Sequence, residues 1–164
     1  MTDHRVPDLM GEIIGWRAWR VIGGRPEKLP MLASATYGDT IWHPGYWTPA
    51  TCSGRSECSR SLDGRVPGEE CSCGLYAAKD RSQLVGLPYG RQDGRRPKIV
   101  GEVGLAGKVI PGSQGWRGEK GRIVRLYVPF QLWRLVTPLE ELYQVEAVLD
   151  NTQKKEQTRI GGGE

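Results

Sequence analysis

The chain has 164 residues, enough for one domain with a real core, and its 38% hydrophobic and 26% charged content with Gly 23 and Pro 11 predicts a small core joined by many turns. A formal charge of +4, from 23 basic and 19 acidic residues, permits a polyanionic partner but lacks the focused imbalance of a dedicated nucleic-acid module. No run approaches the ~18 apolar residues that span a bilayer, and no hydrophobic leader follows Met1-Thr2-Asp3-His4-Arg5, so the expected compartment is the cytoplasm.

Residues 1–10 read as a loose polar lead-in and 151–164 as a flexible tail, leaving one expected domain over 11–150. Residues 11–22, GEIIGWRAWRVI, place large or β-branched side chains on both alternating faces and predict a strand packed on each side. In that phase Trp16 is expected in the core, and Trp19, followed by Arg20, on the surface. Residues 31–35 and then Thr40-Ile41-Trp42 predict two short strands around the turn residues Tyr37-Gly38-Asp39. A Pro-Gly turn at His43-Pro44-Gly45-Tyr46-Trp47 follows. Residues 50–73 carry no periodicity and read as loop. Residues 74–85 favour a short helix, and 86–98 form a basic loop and hinge candidate with Arg91, Arg95, Arg96 and Lys98. The glycine-spaced segment 99–110 predicts two strands or one strongly bent strand, and 122–128 a further strand. Thr137-Pro138-Leu139-Glu140 carries a helix-start pattern, with a helix expected through about Leu149. These elements make a β-rich α+β domain with a C-terminal helix.

The four cysteines, Cys52, Cys58, Cys71 and Cys73, have the spacing C-x5-C-x12-C-x-C. In a reducing compartment clustered cysteines point to metal before disulfide, and two pairs delivered by a folded-back loop suit a tetrahedral zinc ion. The spacing departs from the two-residue gap of zinc ribbons. Disulfides, buried free thiols and a redox switch stand as other readings. Four thiolates would close the site, so the expected metal is structural. His43 is the rival ligand, its plainer role being a packed residue beside aromatics.

The order GWRAWRV, Leu32-Ala33-Ser34, Trp42-His43-Pro44-Gly45, Ala50-Thr51-Cys52 and Cys71-Ser72-Cys73-Gly74-Leu75-Tyr76-Ala77 resembles a group of small cysteine-rich, zinc-binding proteins of actinobacteria and their phages. Val103-Gly104-Leu105-Ala106-Gly107-Lys108-Val109 and Gly115-Trp116-Arg117-Gly118-Glu119 are similar to the same group, whose usual form has Ala in place of Gly118. The resemblance covers roughly residues 13–128. It implies a metal and a phage context, with histidine often standing where Cys58 lies here, and it carries no activity with it.

No nucleophile–base pair, Gly-x-Ser-x-Gly or dinucleotide fingerprint is present, and the expectation is a non-enzymatic phage-type accessory protein. Its expected partner is a host or phage protein, met by exposed aromatic and arginine side chains: Trp19, Arg20, Trp47, Arg91, Arg95 and Arg96. The alternative is a nucleic-acid module using the basic loop, with the strip Arg117, Lys120, Arg122 and Arg125 as a second phosphate-facing candidate.

Overall fold

Three long or central strands organise the structure, a computed structural model that describes residues 9–24, 28–35, 40–86 and 97–152. Strand β1 (Leu9–Ile22) runs antiparallel to β6 (Lys98–Pro111), from Ile13 opposite Leu105 to Arg20 opposite Lys98. β6 turns back through residues 112–114 into β7 (Gly115–Pro129), which pairs with it along nearly its whole length. Strand β5 (Leu75–Ala78) closes the circuit. It pairs with β7 from Leu75 opposite Gly118 to Ala78 opposite Gly115, and meets β1 at Trp16 opposite Ala78. The pairings β1–β6–β7–β5–β1 thus form a small ring, and its β1/β5 seam is a single residue pair.

The remaining elements hang on this ring. β2 (Met31–Ser34) and β3 (Ile41–Trp42) extend the C-terminal half of β1, and β4 (Thr48–Pro49) pairs with Lys120 and Gly121 of β7. A 3-10 turn (Phe130–Leu135) and helix α2 (Val136–Tyr143) carry the chain back, so that β8 (Glu146–Asp150) lies parallel to the end of β7. The fold is a strand-rich α+β domain, as the sequence pattern implied.

The bent-strand reading of 99–110 holds. β6 is one strand with a register shift between Ala106 and Val109, and Gly107 sits in it at φ +75°, where a side chain would be strained. At Gly101 the need is closeness instead: a Cβ would lie 2.2 Å from the Arg125 carbonyl oxygen.

Three expectations are corrected. Residues 75–78 form β5, and the helix of that region is only α1 (Arg81–Gly86). The C-terminal helix starts at Val136, one residue before the expected Thr137 cap, and stops at Tyr143. Gln144 caps it in the left-handed conformation, and Val145 onward joins the sheet, where Ala147 is buried.

The third correction reverses the phase of β1. Trp19 is fully buried and meets Trp42 edge-on at 5.4 Å in the main core, among Leu32, Ile99, Val103 and Leu126. Trp16 takes the other face, half-buried against Tyr127 at 5.4 Å under the Arg81 guanidinium. Among the described residues that face packs against α1, through Leu84, and against Ala35, while the core around Trp19 takes in residues of α2 and β2–β3. Tyr143 ties these layers together: its hydroxyl donates to the Trp42 carbonyl at 2.7 Å and accepts the Leu32 N–H at 2.8 Å.

Candidate metal centre

The loop between β4 and β5 is short of hydrophobic residues and is folded by backbone bonds and turn chemistry. The Ala50 N–H donates to the Glu119 carbonyl of β7, fixing where the loop departs. Cys52 and Arg55 exchange both backbone hydrogen bonds across Ser53 (φ 49°) and Gly54 (φ 81°), the tight two-residue turn that places two positive φ values in a row. The Cys58 N–H donates to the Gly64 carbonyl, and the Cys71 N–H to that of Gly68. Cys52, Cys58 and Cys71 are therefore each held by a backbone turn.

These turns bring the four sulfurs of Cys52, Cys58, Cys71 and Cys73 within 4.8 Å of one another. Cys52 and Cys71 lie 3.7 Å apart, as do Cys73 and Cys58. Sulfurs bonded at about 2.3 Å to a tetrahedral ion lie about 3.8 Å apart, whereas a disulfide needs about 2.05 Å. The cysteines are free thiols at metal-site spacing, and these four can hold a metal ion. His43 is exposed and stands outside this group of four sulfurs, of which Cys58 is the most buried.

Neighbouring groups hold the ligands in place. The Gly68 N–H donates to the Cys73 sulfur at 3.2 Å, and a Cβ on Gly68 would lie 2.5 Å from the Cys58 sulfur, so only glycine passes here. Arg117 reaches from β7 and donates to the carbonyls of Cys71 (2.5 Å), Cys73 (2.8 Å) and Gly68 (3.3 Å). Such outer contacts orient ligands and place positive charge beside a thiolate cluster. The crowded thiols titrate apart. The Cys73 N–H leads in lowering Cys71, to about 7, while the Cys58 and Cys71 side chains lead in raising Cys52, to about 12. Burial raises Cys73.

A second anchor sits on the far side of the loop. The Lys108 ammonium, from β6, is buried and reaches Asp63 at 2.8 Å, Glu69 at 2.6 Å and the Ser61 hydroxyl at 2.8 Å. Lys108 holds the Asp63 carboxyl well below the usual carboxylate range and that of Glu69 down to about 2. Burial opposes the charge on Lys108, and the two carboxylates outweigh it, raising its pKa. Glu119 adds a third tie. Its carboxylate accepts the Lys108 N–H at 2.7 Å and pairs with Arg65 of the loop at 2.5 Å. The sequence reading did not single out Lys108, and it grouped Arg117 with the phosphate-facing strip. The signal for Lys108 is an isolated cation on a strand of apolar and small residues, whereas Arg117 is hidden among the other cations of β7.

The expected partner residues separate. Trp19 is excluded from any surface role by its burial. Arg20 is half-buried, its Nε donating to the Ser34 carbonyl at 3.3 Å. Trp47 is exposed beside Tyr46, with the cations of Lys120 and Arg122 at 5.3 and 5.6 Å from its ring. Arg91, Arg95 and Arg96 lie outside the described residues, as do the 1–8 and 153–164 parts of the expected flexible ends. The expected cationic strip does not present as a unit: Arg117 faces the cysteine loop, Arg122 pairs with Glu12, and Arg125 pairs with Glu146. Among the described residues no helix is long and apolar enough to cross a membrane. No protein-family model, curated protein or solved structure matches the chain.

Proposed function

We propose that this chain is a non-catalytic binding module whose cysteine loop is locked by one structural zinc ion, and which meets a partner protein through the exposed Tyr46–Trp47 turn. The observation that carries the reading is the gathering of four cysteine sulfurs at tetrahedral zinc spacing, all four corners filled by protein. An ion with four thiolates has no place for water or substrate, so its work is to fold the loop. Cys52 would join the loop to β4, and Cys73 to β5, two strands that follow one another along the same edge of β7.

Exposure of Tyr46 and Trp47 beside Lys120 supports the partner surface, since an aromatic anchor with a cation at its edge is a common binding hot spot. The phage context that the sequence resembles makes a host or phage protein the partner. Two experiments test the reading. Metal analysis should find one zinc per chain, with chelation loosening residues 50–73 in hydrogen exchange; an unchanged loop would count against the structural ion. Capture of a partner from host lysate should be lost with Trp47→Ala and survive moderate salt. Binding that collapses steeply with salt, with nucleic acid in the captured material, would favour the nucleic-acid reading instead.

A further inference from the structure

The weak seam of the ring opens into a cavity. Along one edge of β1, β2 pairs with Trp19 to Ile22 and β5 meets only Trp16, so Arg17 and Ala18 face a gap between two strands. A cavity of about 630 Å³ lies there, within the ~300–1,000 Å³ of small-molecule sites. Its walls include Trp16, Leu75, Tyr76 and Leu84. Arg17 is the only cationic side chain among the described residues that line it, none of those residues is an aspartate or glutamate, and Cys73 of the cysteine group stands in the same lining. Arg17 as a whole is 8% exposed, and its guanidinium is held by hydrogen bonds. It donates to the Tyr76 carbonyl at 2.5 Å on one side of the gap and to the Ser34 hydroxyl at 2.9 Å on the other, and lies 5.2 Å from the Trp42 ring.

We propose that this seam cavity is a binding site for a small aromatic carboxylate. Its ring would lie between the apolar walls and its carboxylate against the Arg17 side. A flat ring suits a slot bounded by strands, and a planar guanidinium fixed in place suits a carboxylate. The site is separate from the Tyr46–Trp47 surface, and it borders the cysteine group at Cys73, so the chain is tested with its metal in place.

The test is titration of the full chain, purified without chelator, with 1-naphthoate, followed by amide shifts in the two-dimensional spectrum of the ¹⁵N-labelled protein. Saturable shifts should centre on Trp16–Ala18 and Leu75–Ala78, with a dissociation constant of ~1 mM or tighter for a ligand of this size. The neutral 1-naphthamide should bind about tenfold more weakly, having lost the charged acceptor. Arg17 straps two strands, so its removal risks the fold. Thr51→Trp, at an exposed lining position, is the safer variant, and it should abolish the shifts while leaving the rest of the spectrum unchanged. Absence of saturable shifts, equal affinity for the amide, or undiminished binding by Thr51→Trp would overturn the proposal.

Discussion

Replacing Lys108 with methionine tests how the cysteine loop is anchored apart from its metal. The methionine keeps the apolar stem that packs under the loop and deletes the ammonium. Two ion pairs are lost, to Asp63 and Glu69, with the bond to Ser61. The carboxylates are 43% and 35% exposed and regain water when released, so each pair is taken at the upper end of the surface scale, about 1 kcal/mol, and the whole change at about 2 kcal/mol. Equilibrium urea unfolding at pH 7 should show that loss. Its pH dependence carries the sharper check. Both carboxyls have lowered folded-state pKa values, so their contribution is fully present above the usual carboxylate range and is lost as pH falls through the folded values. The gap between wild type and K108M should therefore be constant above about pH 5 and close toward pH 2. Thiol protonation acts on both proteins alike and drops out of the difference. A gap below about 0.5 kcal/mol at pH 7, or one that stays constant into acid, would refute the anchoring role.

Other perturbations separate core from surface. Trp19→Ala should destabilise the fold by about 3–5 kcal/mol in the same unfolding assay, because it empties a fully buried site, whereas Trp47→Ala should stay within about 0.5 kcal/mol. Gly101→Ala should fail to accumulate as folded protein, judged by far-ultraviolet dichroism and solubility, because its Cβ meets the backbone oxygen of Arg125. Arg117→Met should keep the strands but weaken zinc retention against a chelator about 10-fold or more, as loss of an outer-shell partner does.

How far the sequence could be read depended on what each signal measures. The alternation in 11–22 and the glycine spacing in 99–110 are local backbone signals, and both strands are present, the second bent at Gly107 as its spacing required. Alternation fixes that two faces exist, not which is better covered. The phase of Trp16 and Trp19 is set by packing against β2–β3 and against α2, more than 110 residues away, and it is the reverse of the expected one. Helix patterning failed at both places where strand pairing won. Residues 75–78 were claimed by β7, and residues 146–150 were claimed by the free edge of β7 once Gln144 turned the chain. The cysteine group was legible because metal-ligand spacing is a property of composition and order. Its supports were not, since Arg117 is 44 residues from the Cys73 carbonyl it binds and Lys108 is 45 from Asp63. The seam cavity left no sequence signal, because it arises where two short strands fail to cover one edge of β1.

Intact mass under native conditions, set beside the mass of the same sample after denaturation, tests the structural zinc most directly. The account predicts a native mass about 63 Da above the denatured chain, one zinc replacing two protons, and four thiols that react once the protein is unfolded. A folded chain with no added mass, or one about 4 Da lighter than its own reduced form through two disulfides, would contradict it.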